Sequence, residues 1–349
     1  MYLEEIHRIL ETIERTDLRS VLATITRVEG SAYRKEGTSM LFLEDGSQIG
    51  VLSAGCLETE LAACVPDILE TGVSRRFVFD MQSSDPLSWG EGPGCGGVVH
   101  VTMEPVNDRF ADHLCTLKHY LDHHIEVMLV KSFASDGSVA GYGFLTGDRH
   151  LFGEWEGQFP QTLFDWMSSG DLRRSGMRFV SSMPSDVFVH TYYPKPRLII
   201  FGAGPDARPL ALFAAAAGFS VVVSDWRPVL CERSYFPDAA SILLGFPEET
   251  MRMIECTPYD YAVVMTHNYK RDQQLVRLLS ERQLRYLGIL GSKRRTERLL
   301  EGVTFPMKVH FPVGLAIGAE GPEEIAVSIL AELIHRKNRK PEVVIHEAE

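Results

Sequence analysis

A short glycine-containing segment between two apolar runs places the tightest limit on the fold of this chain. Residues 202–207 read Gly-Ala-Gly-Pro-Asp-Ala and join a strand-like run at 197–201 to a helical run at 207–217. The spacing matches the dinucleotide-binding fingerprint with alanine in the third position. Gly202 allows a tight turn, Gly204 lets the backbone approach a pyrophosphate, and Ala207 lets the helix pack closely on the strand. The segment therefore predicts a strand, a phosphate-binding turn and a helix.

The chain alternates between strand-like and helical runs from Arg197 onward, which is typical of βαβ units on a parallel sheet. Strands are predicted at 197–201, 220–224, 241–244, 261–266 and 286–290, and helices at 207–217, 271–282 and 322–337. The last helix has a proline and two acids at its start and basic residues at its end, as the helix dipole favours. The predicted fold class is α/β, with a C-terminal Rossmann-like parallel-sheet domain and a smaller N-terminal α+β domain.

Asp225 is the candidate ribose-binding acid of the Rossmann-like domain. It lies 225 − 204 = 21 residues beyond Gly204, at the end of the next predicted strand. An acid at this position usually binds ribose hydroxyls, which would make it part of a dinucleotide site. The alternative is that Asp225 only caps a turn, and the sequence leaves both interpretations open.

Polar residues follow two other strands of the same predicted sheet. His267 follows the strand at 261–266, and Ser292 and Lys293 follow the strand at 286–290. Ligands of open α/β sheets lie beyond the carboxyl ends of the strands, so these side chains should face one crevice together with Gly204. The basic run 293–295 beside a helix N-terminus suits a phosphate. The alternatives are a core or capping role for His267 and a solvated helix face for Arg294 and Arg295.

The first hundred residues predict a small α+β domain. Its elements are a helix at 1–15, strands at 21–28, 39–43 and 48–53, a helix at 57–70, and strands at 75–81 and 98–103. The chain is thus divided into an N-terminal α+β domain at 1–105, a mixed middle segment and linker at 106–196, and the Rossmann-like domain at 197–349.

Cys56 is the most distinctive thiol. It follows a predicted strand and Gly55, and it opens the helix that contains 57–70. A helix N-terminus lowers the pKa of a thiol, whereas the nearby Glu58 opposes that effect. A flexible Gly55 would expose the thiol. The alternative is a small buried residue at a strand–helix junction.

Cys95 and Gly96 lie in a second unusual segment, because residues 92–97 read Gly-Pro-Gly-Cys-Gly-Gly. Glycines allow backbone conformations and close approaches that other residues do not. The segment therefore predicts either a loop that receives a bulky ligand or a tight bend before the next strand.

Composition and charge exclude several classes of protein. The formal net charge of −12 argues against nucleic-acid binding by overall charge, and the longest mostly apolar stretch, 14 residues at 210–223, is too short to span a membrane. The acidic start, Met-Tyr-Leu-Glu-Glu, does not match a secretory signal, and six scattered cysteines form neither a disulfide framework nor an iron–sulfur motif. We expect a cytoplasmic protein with reduced thiols and no metal site.

Four blocks in this order resemble the XdhC/CoxI family of accessory proteins of xanthine dehydrogenase and carbon monoxide dehydrogenase. The family-like motifs are Ala-Thr-Ile-Thr-Arg-Val-Glu-Gly-Ser at 23–31, Ser-Ala-Gly-Cys-Leu-Glu at 53–58, Gly-Cys-Gly-Gly at 94–97, and a set in the Rossmann segment that includes Gly202-Ala-Gly204, Asp225-Trp-Arg227, Thr266-His267, Gly-Ser-Lys-Arg at 291–294, Pro-Val-Gly-Leu at 312–315 and Gly-Pro-Glu-Glu-Ile-Ala at 321–326.

The resemblance implies a chaperone that binds molybdenum cofactor (molybdopterin), supports its sulfuration and delivers it to a xanthine dehydrogenase-type molybdenum hydroxylase. It implies a cysteine desulfurase as a further partner. Cys56 and Cys95, with Gly55 and Gly96, would contact the cofactor or handle its sulfur. Gly202, Gly204, Asp225, Arg227, His267, Ser292 and Lys293 would hold a pyrophosphate or nucleotide portion.

Two other functions remain open at the level of the sequence. One is an NAD(P)-dependent oxidoreductase that uses the Rossmann domain, with His267 as proton donor. The other is a scaffold that binds a nucleotide only to regulate a partner. A ligand site between the N- and C-terminal domains is expected because such interfaces favour binding sites, and a homodimer is expected because cyclic dimers are the commonest oligomers.

Overall fold

The computed structural model describes residues 3–53, 55–81, 96–169, 175–183 and 186–337. The chain forms two compact units, unit 1 (Met1–Pro194) and unit 2 (Lys195–Glu349). The predicted three-part division, with boundaries after 105 and 196, stays a prediction.

Unit 1 contains two antiparallel sheets and four helices among the described residues. Its first sheet has the order β3-β2-β1-β5-β4, and its second has the order β8-β7-β6-β10-β9. In chain order the elements are α1 (Leu3–Arg15), β1 (Ser20–Glu29), β2 (Ser39–Leu43), β3 (Gln48–Ile49), α2 (Cys56–Thr71), β4 (Arg75–Asp80), β5 (Val98–Pro105), α3 (Asp108–Asp122), β6 (Val127–Phe133), β7 (Val139–Thr146), β8 (Leu151–Glu154), α4 (Gln161–Ser169), β9 (Gly176–Arg178) and β10 (Val187–Tyr192).

Helix α2 is held against the first sheet by an apolar stripe at helical spacing. Leu57, Leu61, Val65 and Ile68 are buried in one cluster with residues of β1, β2 and β5. Residues three and four apart share a helix face, so the whole stripe faces the first sheet. Its burial holds α2 against that sheet.

Strand β10 is buried along its whole length and was not predicted. Polar atoms of His190 and Tyr192 interrupt an otherwise apolar run, so the segment does not read as a buried strand. The His190 ring lies beside Gly37, where any Cβ would overlap the ring, and its Nδ1 is hydrogen-bonded to Ser175 Oγ at 2.5 Å. Burial, with the positive charge of Lys131 as a second cause, lowers the pKa of His190 to about 3. The ring is therefore neutral at physiological pH.

Unit 2 is a doubly wound α/β domain with one six-stranded parallel sheet. The strand order β13-β12-β11-β14-β15-β16 is the Rossmann order 3-2-1-4-5-6, which confirms the predicted fold class. In chain order the elements are β11 (Arg197–Phe201), α5 (Ala207–Ala216), β12 (Ser220–Asp225), β13 (Ser241–Leu244), α6 (Pro247–Met253), β14 (Tyr261–Val264), α7 (Tyr269–Ser280), β15 (Tyr286–Ile289), α8 (Lys293–Leu300), β16 (Val309–His310) and α9 (Pro322–Lys337).

The two faces of this sheet are covered by different helices. Leu198 and Ile200 of β11 pack in one cluster with α5 and α9, whereas Ile199 and Phe201 pack in another with α6, α7 and α8. Successive strand residues point to opposite faces, which explains the near-continuous apolar run in β11. With both faces covered, the carboxyl edge of the sheet is where polar side chains gather.

A buried carboxylate ties the end of unit 2 together. Glu332 of α9 accepts hydrogen bonds from His310 Nδ1, Tyr286 Oη and the backbone N–H of Gly314, each at 2.7 Å. Burial raises the pKa of Glu332, but these hydrogen bonds outweigh burial and bring it to about 2. The carboxylate is therefore ionised at neutral pH.

The described residues contain neither a membrane-spanning helix nor a metal-binding cluster. No helix in the described part of the chain has the length and apolar character needed to cross a membrane. Across the same residues, no group of three or more His, Cys, Asp or Glu side chains is arranged to hold a metal ion.

Candidate functional site

The first candidate region lies at one edge of the first sheet of unit 1. Strand β1 ends at Glu29, which pairs with Val98 at the start of the antiparallel β5. Strand β3 runs in the same direction as β1, since both are antiparallel to β2. The segment that leads from β3 to Cys56 and the segment that leads to β5 through Gly96 therefore meet the same edge of the sheet.

The loop before α2 is fastened by Ser53 and Glu58. The Glu58 carboxylate accepts backbone N–H bonds from Leu52 at 2.9 Å and Ser53 at 2.6 Å, and also a bond from the Ser53 hydroxyl. Ser53 Oγ in turn accepts from the N–H groups of Gly55 at 3.2 Å and Leu57 at 3.1 Å. Burial raises the pKa of Glu58, but the bonds from Ser53 and Leu52 outweigh it, so the net pKa lies below its ordinary value.

Helix α2 begins at Cys56, at the strand–helix junction that the sequence predicts. Gly55 adopts a left-handed conformation, with φ of 108°, at the N-cap position. Among the described residues, no heavy atom lies within 4 Å of the point where a Cβ on Gly55 would stand. The backbone in front of the helix start is therefore open to a bulky group.

Gly96 and Gly97 differ in their surroundings. A Cβ on Gly97 would lie 2.6 Å from the carbonyl oxygen of Ser31, so the chain here packs directly on the loop after β1. A Cβ on Gly96 would meet no heavy atom of the described residues within 4 Å. Gly96 thus adds a second open backbone position at the edge that carries Cys56, while Cys95 lies outside the described residues.

The second candidate region is the glycine turn of unit 2. Gly202 has φ of +117°, and a Cβ there would lie 2.5 Å from the carbonyl oxygen of Met265. Only glycine fits this contact between the ends of β11 and β14. A Cβ on Gly204 would instead meet nothing within 4 Å in the part of the chain that the structure describes. The two glycines therefore serve different purposes: Gly202 lets the fold close, and Gly204 leaves room for a ligand at the switch point of the sheet.

Asp225 is buried and closely bound at the end of β12. Its carboxylate accepts from Ala203 N at 2.7 Å, from Arg227 N at 2.9 Å, and from Arg227 Nε and Nη2 at 3.0 and 2.7 Å. A carboxylate has about four acceptor positions, so these bonds fill it. Burial raises the pKa of Asp225, but the bonds from Arg227 and Ala203 outweigh burial, so the net pKa lies below its ordinary value. A ribose hydroxyl reaches this carboxylate only if Arg227 moves.

His267 lies across the glycine turn from Asp206. Its Nε2 donates to Asp206 Oδ2 at 2.8 Å, and its side chain is 58% exposed. The backbone of His267 is left-handed, with φ of 57°, a conformation that costs about 1–2 kcal/mol for a residue with a Cβ. The sequence did not single out Asp206, because the contact joins residues 61 positions apart.

A buried ion pair lies near the ends of β14 and β15. Asp272 of α7 accepts from the Thr266 hydroxyl and from Arg295 Nη2, the latter at 2.6 Å. Ser292 caps α8 by accepting from the N–H of Arg295 at 3.4 Å, while Lys293 is largely exposed. Ser292 and Lys293 thus lie at the carboxyl edge, as expected. A role for Asp272 was not predicted from the sequence, because Asp272 is one of several polar residues in the sequence of α7.

Profiles of known families cover most of the chain. The XdhC and CoxI family matches residues 15–80, the BH1974-like central domain matches residues 108–193, and the XdhC Rossmann domain matches residues 198–333. The middle segment, which carried no recognisable motif, therefore also has a family counterpart.

Individual proteins are similar over almost the whole length. A protein of Bacillus subtilis (strain 168) that is named as a probable subunit of xanthine dehydrogenase is 42% identical over 333 residues, which cover 95% of this chain and 98% of that protein. The molybdenum cofactor insertion chaperone PaoD of Escherichia coli (strain K12) is 24% identical over 329 residues, covering 90% and 82%. A crystal structure described as a xanthine dehydrogenase (BH1974) from Bacillus halodurans shares 44% identity with a TM-score of 0.84, covering 96% and 97%. Together with the glycine turns of both units, this similarity shows that the chain belongs to the XdhC and CoxI family.

Proposed function

We propose that this protein binds molybdenum cofactor as cargo, supports its sulfuration and delivers it to a xanthine dehydrogenase-type molybdenum hydroxylase. The observation that carries the proposal is the open edge of unit 1, where Cys56 begins α2 and where no heavy atom of the described residues would meet a Cβ on Gly55 or Gly96. A relative of the full chain is named as a molybdenum cofactor insertion chaperone, which supports the same assignment.

The groups at this edge suit an anionic cargo. The first backbone N–H groups of a helix have no partner within the helix and carry a partial positive charge. Ser53 and Glu58 hold the preceding loop, so the helix start presents a fixed surface. Cys56 and Cys95 would contact the cofactor or handle its sulfur.

Unit 2 would bind a pyrophosphate or a nucleotide. Gly204 offers close backbone approach, and Ser292 and Lys293 add a hydroxyl and a positive charge at the same sheet edge. The alternative function is an NAD(P)-dependent oxidoreductase with His267, oriented by Asp206, as proton donor. A fluorescence titration with NADH and NADPH tests it, and no change with either would count against it.

The partners follow from the same proposal. A molybdenum hydroxylase would receive the cofactor and a cysteine desulfurase would supply sulfur, with all three proteins in the cytoplasm. A homodimer is the proposed oligomer.

The decisive experiment measures bound molybdenum and pterin per chain. The protein is expressed in a host that makes the cofactor and is purified without oxygen. We expect near-stoichiometric pterin in the wild type and loss of pterin in Cys56→Ser. Cys64→Ser is the matched control, because Cys64 lies on the same helix but packs against the core. No pterin where an established carrier retains it, or full pterin in Cys56→Ser, would contradict the proposal.

A further inference from the structure

Two arginines and two aromatic rings cluster beside Asp225 at the carboxyl edge of unit 2. We call Trp226, Arg227, Phe246 and Arg271 the Trp226 cluster. The guanidinium carbons of Arg227 and Arg271 lie 4.6 and 5.7 Å from the centre of the Trp226 ring, and that of Arg271 lies 4.4 Å from the Phe246 ring. The cluster joins the ends of β12 and β13 to the first turn of α7.

The two arginines differ in how their charge is balanced. Arg227 is paired with Asp225, so that pair is close to neutral. Arg271 donates from Nη1 to the neutral Gln274 at 2.7 Å, and no carboxylate of the described chain lies within ion-pair distance of it. Among the described residues, only the faces of two aromatic rings balance its charge. In a chain with a net charge of −12, this arginine is a local positive site.

The position of the cluster determines which part of a nucleotide would meet it. In a Rossmann domain the residue at the end of the second strand faces the ribose, and the order of the sheet makes β12 that strand. Asp225 has no acceptor position left for ribose hydroxyls, whereas Arg227 and Arg271 keep unused N–H donors. Arginine donors in this place accommodate a phosphate on the ribose.

We infer that the Trp226 cluster binds a phosphate monoester on the ribose of a nucleotide seated at Gly204. The inference rests on the proposed nucleotide site of unit 2 and adds its selectivity. Arg271 supplies the unbalanced charge, Trp226 and Phe246 fix the plane of its guanidinium group, and Arg227 contributes its outward N–H donors while it screens Asp225 from the phosphate.

Binding of adenosine 2′,5′-bisphosphate, ADP and inorganic phosphate to the full chain tests the inference by calorimetry. We expect the bisphosphate to bind at least about tenfold more tightly than ADP, the factor that one charged hydrogen-bonded contact supplies. In Arg271→Ala this preference should disappear while ADP binding stays unchanged. Arg277→Ala is the matched control, since it removes the same charge from the exposed face of the same helix and should keep the preference.

The other outcomes separate the two ideas. Equal affinity for the bisphosphate and ADP, or a preference that survives in Arg271→Ala, would overturn the ribose-phosphate site and leave the nucleotide site standing. If inorganic phosphate binds equally well to wild type and to Gly204→Val, and the two nucleotides bind no more tightly than phosphate does, the cluster is a surface anion site. That result would overturn the inference. No binding of either nucleotide would overturn the inference together with the proposed nucleotide site.

Discussion

Acidification from pH 7 to pH 5 should destabilise unit 1 through one buried histidine. Burial lowers the pKa of His190 to about 3, whereas an unfolded histidine has a pKa near 6.5. Below pH 6.5 the His190 ring binds a proton in the unfolded chain but not in the folded chain. The free energy of unfolding therefore falls as the pH falls, and the loss continues until about pH 3.

The size of this effect follows from linkage. Each pH unit below 6.5 costs about 1.4 kcal/mol, so the loss at pH 5 is about 2 kcal/mol. Since His190 is only 5% exposed, solvent screening removes little of this cost. That amount is a large part of the stability of an ordinary domain.

Two measurements check this prediction. Two-dimensional NMR of the histidine rings should show His190 neutral at pH 5. Urea unfolding of wild type and His190→Gln at pH 7 and 5 should show a pH-dependent loss that is smaller by about 2 kcal/mol in the variant. A His190 ring that titrates near pH 6.5, or an identical pH dependence in both proteins, would refute the reasoning.

Three further predictions concern the other interactions. Gly202→Ala should lower the stability of unit 2 by about 2 kcal/mol or more in thermal unfolding, because its Cβ would meet Met265 and its φ is positive. Gly204→Ala should stay within about 0.5 kcal/mol of wild type. Equal losses would contradict the different roles of the two glycines. Glu332→Gln should cost about 2–3 kcal/mol in denaturant unfolding at pH 7, and the difference from wild type should shrink as the pH falls from 4.5 towards 2, where the Glu332 carboxylate takes up its proton. An equal loss at pH 7 and pH 3 would exclude the charge as its cause. Glu58→Gln should reduce hydrogen-exchange protection of the Ser53 and Leu57 amides by about 1–2 kcal/mol, with unchanged protection in α9 as the control.

The fold of unit 2 could be predicted because its buried parallel strands are continuous apolar runs separated by helical ones. The missed elements lack that contrast. Strand β10 includes polar groups that are satisfied only in the folded state, and α6 reads Pro-Glu-Glu-Thr-Met-Arg-Met, with little apolar surface to form a periodic pattern. Local sequence therefore does not distinguish these segments from loops.

The candidate site was predictable in position but not in pairing. Strand ends and helix starts placed Cys56, Gly204, Asp225 and His267 at the edges of the sheets. That Arg227 closes on Asp225 depends on the turn after β12 and on one arginine rotamer. Such pairings depend on conformations and contacts that residue spacing does not contain.

The left-handed backbone that presents the His267 imidazole at the sheet edge lowers the folding stability of the chain. Asparagine tolerates this conformation better than histidine, and the exposed bond to Asp206 contributes little to folding. His267→Asn should therefore leave the chain as stable as wild type or more stable by up to about 1 kcal/mol. Selection for thermal stability alone would therefore replace His267. Where the imidazole at the switch point of the sheet is retained, it is kept at a cost in folding free energy.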